Sequence, residues 1–100
     1  MNYSGKIVDS IVKPMFLLAD SQLLFWRRGD TPFLNSVRDV IDVSSPKAAY
    51  IGASNADDPE YYSIFEAAME MIGIHRCRMV PSSPTDEDFS FLSDADIILL

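Results

Sequence analysis

The sequence predicts an α/β fold, three-layered, with a mostly parallel sheet wound in the flavodoxin or Rossmann manner. Short continuous apolar runs recur at PMFLLAD, KAAYIGAS and ADIILL, and a strand covered on both faces reads as such a run rather than as an alternation. Between them lie stretches of helical spacing with recognisable start and stop residues. Strand and helix therefore take turns along the chain, an order that right-handed crossovers build into a parallel sheet. The 100 residues suffice for one small domain, and no Pro/Gly/Ser-rich linker divides them, so 1–100 reads as a single α/β domain.

PMFLLAD, bounded by Pro14 and Asp20, predicts a buried strand over 14–19. SQLLFWRRGD continues as a second strand or a wide loop, turning at Gly29. DTPFLNSVRDVIDV predicts a helix with Asp30 or Thr31 as cap and Pro32 in the first position. Its inner face would carry Phe33, Val37, Val40 and Ile41, and SSP at 44–46 ends it. KAAYIGAS at 47–54 is the next strand, inside the sheet over 48–53.

NADDPEYYSIFEAAMEMIG predicts a longer helix, with Asp58 as cap before Pro59 and acidic residues in the first turn to suit the dipole. Tyr61, Ile64, Phe65, Ala68, Met69 and Ile72 recur at helical spacing, and Gly73 sits where a left-handed C-terminal residue belongs. IHRCRMVP alternates Ile74, Arg76 and Arg78 against His75, Cys77 and Met79, which suits an outer strand exposed on one face. TDEDFSFL predicts one or two helical turns, with Thr85 as cap and Asp88 returning the bond. ADIILL is the most apolar strand, expected at 96–100 in the middle of the sheet.

Charge and composition exclude several functions. The net charge is −7, from 15 acidic and 8 basic residues, and residues 54–74 contain no Lys or Arg. Such a surface repels phosphate backbones, so no nucleic-acid partner is expected. No segment reaches the roughly 18 apolar residues of a membrane span, so no membrane partner is expected either. Cys77, the single cysteine, has no internal disulfide partner and suits a reducing, cytoplasmic setting. Trp26 with Arg27 and Arg28 forms the one basic-aromatic cluster, a grip for a carboxylate or a partner, or an isolated surface group.

In parallel sheets, ligands bind beyond the carboxyl ends of the strands. The candidate substrate-binding residues are therefore Asp20 and Ser21 after the first strand, and Ser54 and Asn55 after the second. GASNADD opens a helix whose amide dipoles could hold an anion, although it is neither a GxGxxG fingerprint nor a Walker loop. In the plainer reading, Ser54 and Asn55 shape a turn and Asp58 caps the helix. His75 and Cys77 would share a strand face, but they stand at the beginning of that strand and lack a third orienting residue. A metal needs three or four ligands, and one His with one Cys falls short. No catalytic residue, metal ligand or cofactor is assigned.

KAAYIGASNADDPEYYSIFEAAMEMIGIHRCRMVP followed by FLSDADIILL resembles the first half of the dipeptidase E/cyanophycinase-like serine peptidases, of the class I glutamine amidotransferase-like superfamily. FLLADS resembles the family's first strand and loop, and AAYIGAS its second strand. The resemblance implies a hydrolase with a Ser nucleophile on a strand-to-helix turn, a His base and a Gly-Gly oxyanion loop directly after IILL. It implies dipeptide or isopeptide hydrolysis and a small peptide substrate. The nucleophile and base come later in that family: residues 1–100 hold no GxSxG, and His75 is on another strand.

The chain is thus expected to be the N-terminal part of a larger domain, inactive alone, with ADIILL stopping one step before its functional loop. A homodimer through an exposed sheet edge is a further expectation. The alternatives are a non-enzymatic α/β module that binds a ligand or partner, and a flavodoxin-like nucleotide- or flavin-binding domain.

Overall fold

Residues 24–100 are described by a computed structural model. The strand expected over 14–19, with Asp20 and Ser21, lies outside the described residues.

A two-strand hairpin comes first: β1 (Arg27–Arg28) pairs antiparallel with β2 (Thr31–Pro32) around Gly29, whose φ of 64° is open to glycine without steric cost. Of the stretch that the sequence left between strand and loop, the described part holds the short strand at 27–28 and its turn. The hairpin also moves the next helix. Thr31 and Pro32 belong to the hairpin, so α1 (Phe33–Asp39) starts after Pro32, which occupies the cap position with extended backbone and no side-chain cap bond. The expected cap at Asp30 or Thr31 and first helical turn at Pro32 are therefore displaced. The helix also ends early, at Val40. In consequence Leu34 is the buried anchor, 1% exposed, while Val40 turns out to solvent at 51%.

The main sheet has three parallel strands: β3 (Lys47–Ile51) in the centre, β4 (Arg76–Val80) on one side and β5 (Ile97–Leu99) on the other. Ala48 lies between Cys77 and Ile97, and Tyr50 between Met79 and Leu99. At the amino end, Asp96 clips β5 to β3 twice: its carboxylate accepts from Lys47 N–H at 2.9 Å, and its own N–H donates to Lys47 C=O at 2.8 Å. Among the described residues β4 is an outer strand, as expected. So is β5, and its Ile98 is 51% exposed, so the described sheet does not carry ADIILL in the middle.

Helices cover both faces, which the alternation of β3 makes readable. Ala48 and Tyr50 point one way, Lys47, Ala49 and Ile51 the other. Helix α2 (Pro59–Met71) packs on the first face: Tyr50 lies 5.6 Å from Phe65 and 6.2 Å from Tyr62, centroid to centroid. Phe65 is fully buried, with Ala68, Met69 and Leu34 in the same cluster. Of the residues expected inward, Tyr61 and Ile64 are exposed instead, and Tyr62 takes the inner place. Asp58 caps α2 as expected, accepting from Glu60 N–H at 2.9 Å, and Gly73 closes it with φ of 75°.

Helix α3 (Asp86–Asp94) packs on the opposite face and is longer than two turns. Thr85 and Asp88 form the expected capping box, with Asp88 N–H donating to Thr85 Oγ1 at 3.2 Å and Thr85 N–H to Asp88 Oδ2 at 2.8 Å. Asp88 also accepts from Arg78 Nε at 2.9 Å, and Lys47 Nζ lies 3.6 Å from Asp94 and 5.7 Å over the Phe91 ring. One arginine and one lysine on the strands thus meet carboxylates in the first and last turns of the helix. Among the described residues, no helix is long and apolar enough to cross a membrane.

Phe65→Ala is expected to lower unfolding free energy by about 3–5 kcal/mol, measured by urea titration, because the site is fully enclosed. The Thr85 main-chain amide and the Arg78 guanidinium hold the Asp88 carboxyl below its ordinary value of 3.8. A proton binds it more weakly in the folded than in the unfolded chain. Its stabilising contribution is therefore complete above the ordinary carboxyl range and disappears as the pH falls through the lower folded value. Asp88→Asn is expected to destabilise at neutral pH and to flatten stability against pH in that acidic window; an acid titration of melting temperature as steep as the parent's would contradict this.

Candidate functional site

Parallel register brings the carboxyl ends of the strands to one edge: Ile51 stands beside Val80, and Tyr50 beside Leu99. The order of the strands adds a second property. The chain leaves β3 for β4 through α2 on one face, then crosses to β5 on the far side of β3 through α3 on the other face. β3 and β5 are thus neighbours that are not consecutive in the chain, and the carboxyl ends of such strands are where open α/β sheets bind ligands.

The segment after β3 lies at this edge. A 3-10 turn, Gly52–Asn55, follows the strand, and then Ala56 and Asp57 adopt the left-handed region with φ of 55° and 57°. Asp tolerates this conformation better than Ala; each such non-glycine residue costs about 1–2 kcal/mol. Three main-chain bonds close the segment: Ala56 N–H to Ala53 C=O at 3.3 Å, Asp57 N–H to Gly52 C=O at 2.9 Å, and Asp58 N–H to Asn55 C=O at 3.0 Å. The Asp57 carboxylate reaches the next loop, accepting from Ser82 N–H at 3.0 and 3.1 Å. Gly52 is required here. A Cβ on it would stand 2.8 Å from Asp57 Oδ1 and 3.1 Å from Met79 Sδ.

Of the sequence-derived candidates, Ser54 and Asn55 come to this edge. Ser54 is exposed, with no hydrogen-bond partner among the described residues. Asn55 is turned inward, its Nδ2 donating to the hydroxyl of buried Tyr50. Asn55 thus fixes the turn to the strand beneath it, while Ser54 faces solvent without a base. His75 lies before β4, at the amino edge, separated from Ser54 by the length of the sheet, roughly 16 Å for five residues of rise. The two cannot act together.

The anion-binding reading of GASNADD loses its donors. The Asp58 carboxylate already occupies the amide of Glu60, and Asp57, Asp58 and Glu60 bring negative charge to the same helix end. Asp57 and Gly52 carry structural roles that the sequence reading did not assign, although a lone glycine followed by NADD is a stretch that tolerates left-handed backbone.

The remaining titratable groups are not tuned for nucleophilic chemistry. Cys77 is half-buried on the α2 face, its Sγ 3.8 Å from Ile74 C=O, and burial followed by the Glu66 charge pushes its thiol up. The same two causes push the Tyr62 phenol up to about 12. Both stay protonated at neutral pH. A shallow cleft of about 360 Å³ on the α3 face, toward the amino end of β3, lies between Lys47, Arg78, Phe91 and the carboxylates of Asp86, Glu87 and Asp94. Its two cations are already paired with Asp94 and Asp88. Among the described residues, no three His, Cys, Asp or Glu side chains cluster so as to hold a metal ion.

No family model, curated protein or solved structure matches the chain.

The raised thiol has a direct readout. Cys77 in the folded chain is expected to react with iodoacetamide at pH 7.5 more slowly than in urea, because reaction needs the thiolate; equal rates would refute the protected thiol.

Proposed function

We propose that this chain supplies the amino-terminal scaffold of a peptidase E-like serine hydrolase of the class I glutamine amidotransferase-like superfamily. The observation that carries the reading is the parallel order β4-β3-β5, with a strained small-residue loop at the carboxyl end of its central strand. The resemblance of AAYIGAS and ADIILL to that family's strands supports reading this sheet as part of the family's flavodoxin-like winding. In this reading the segment 52–58 forms one wall of the substrate crevice, and Leu100 leads into a Gly-rich loop whose amides would meet a developing oxyanion. Acyl transfer also needs a nucleophile hydrogen-bonded to a base. Ser54 has no such base, so residues 1–100 shape the site without performing the reaction.

Two measurements test the proposal. The purified chain is expected to show no turnover of N-terminal aspartyl dipeptides and no labelling by a fluorophosphonate probe; labelling at Ser54 would sink the scaffold assignment. The coding sequence beyond Leu100 is expected to give a Gly-Gly loop and then a Ser elbow, and a stop codon there overturns the reading.

A second reading is a binding module that pairs through the β5 edge, favoured by Ile98 at 51% and Leu100 at 77% exposure. Light scattering distinguishes it, since a monomer at all concentrations removes the homodimer. The nucleotide- or flavin-binding reading is the least supported, because carboxylates crowd the α2 amino end where a phosphate would sit.

A further inference from the structure

Two loops meet at the carboxyl edge of the sheet, and one side chain joins them. The bonds within 52–58 are short-range turn bonds. The bond joining that segment to the β4–α3 connection is the pair that Asp57 Oδ1 and Oδ2 accept from Ser82 N–H. Gly52 is shaped to the same contact, since a Cβ there would meet Asp57 Oδ1 at 2.8 Å and displace the carboxylate. Two successive left-handed non-glycine residues, Ala56 and Asp57, stand in between. Backbone in such a region keeps its form only where the surroundings over-determine it. Here the surroundings include the second loop.

We propose that Asp57 is a positioning residue that makes the segment 52–58 and the connection at 81–84 open and close as one unit. The proposal rests on the reading of this edge as the ligand crevice and deepens it. A group bound against one loop changes the mobility of the other, because release of the Asp57 carboxylate frees the left-handed pair and the Ser82 amide together. Met79 Sδ lies 3.1 Å from the position of a Gly52 Cβ, so a side chain at 52 would press on both Met79 and Asp57.

Amide hydrogen exchange on the purified chain, with no ligand added, tests the coupling whatever the outcome of the hydrolase assays. Asp57→Ala and Gly52→Ala are expected to speed exchange of the Ser82 and residue-57 amides together, by about tenfold or more, as the loss of a bond to a charged acceptor implies. Asp57→Asn keeps an acceptor oxygen and should retain most of the protection. Ser82→Ala keeps the main-chain donor and should match the parent. Acceleration at Ser82 with residue 57 unchanged, or no acceleration at either, overturns the proposal. Should Asp57→Ala fail to fold, the parent decides: the Asp57 and Ser82 amides must show one opening free energy and one denaturant slope, and unequal values refute the coupled unit.

Discussion

A strand buried on both faces has no water for its backbone, and β3 is such a strand. Ala48, Ala49 and Tyr50 are all buried, so their N–H and C=O groups must pair along both edges. That requirement places β4 on one side and β5 on the other, and it obliges a helix to cover each face. The small side chains of Ala48 and Ala49 let the covering helices come close, and Tyr50 fills the remaining space by packing between Tyr62 and Phe65. The carboxyl edge inherits its geometry from the same constraint: with both neighbours fixed in register, the loops leaving β3 and β4 have to emerge side by side.

Charge follows the layers. The α2 face is apolar apart from Cys77 and the tyrosine hydroxyls, while the α3 face carries Lys47 and Arg78, each matched to a carboxylate of α3. Acidic residues at both helix amino ends favour their dipoles. A net charge of −7 is therefore compatible with local order, because many of the carboxylates stand where a helix end or a strand cation favours them.

Elements whose signals are local were legible in the sequence. Asp58 before Pro59, Gly73 and the Thr85–Asp88 box each act within a few residues, and each does what its spacing implies. Where a distant partner decides, the sequence misled. Pro32 suits a helical first position, but the pairing of Thr31 with Arg28 took it into a hairpin. Val40 and Leu34 have equal claims to a helix face by spacing, and the early end of α1 chose Leu34. Ile98 reads as buried by composition, yet what covers a strand face depends on where α3 sits. At the candidate site, strand-end position was enough to put Ser54 and Asn55 at the carboxyl edge, which is as far as the structure follows them. The role of Asp57 depends on Ser82, 25 residues away, and no local pattern announces it.

The double clip between Asp96 and Lys47 has a consequence for the register of β5. It joins groups 49 residues apart, whereas β3 meets β4 across a much shorter crossover. The two closures differ in chain entropy by less than about 1 kcal/mol, so loop length does little to choose the register in which β5 pairs with β3. A slip by one residue would reverse which side chains face α2 and α3. Asp96, immediately before β5, bonds both main-chain groups of Lys47 only in the native alignment, so a slipped β5 forfeits both bonds.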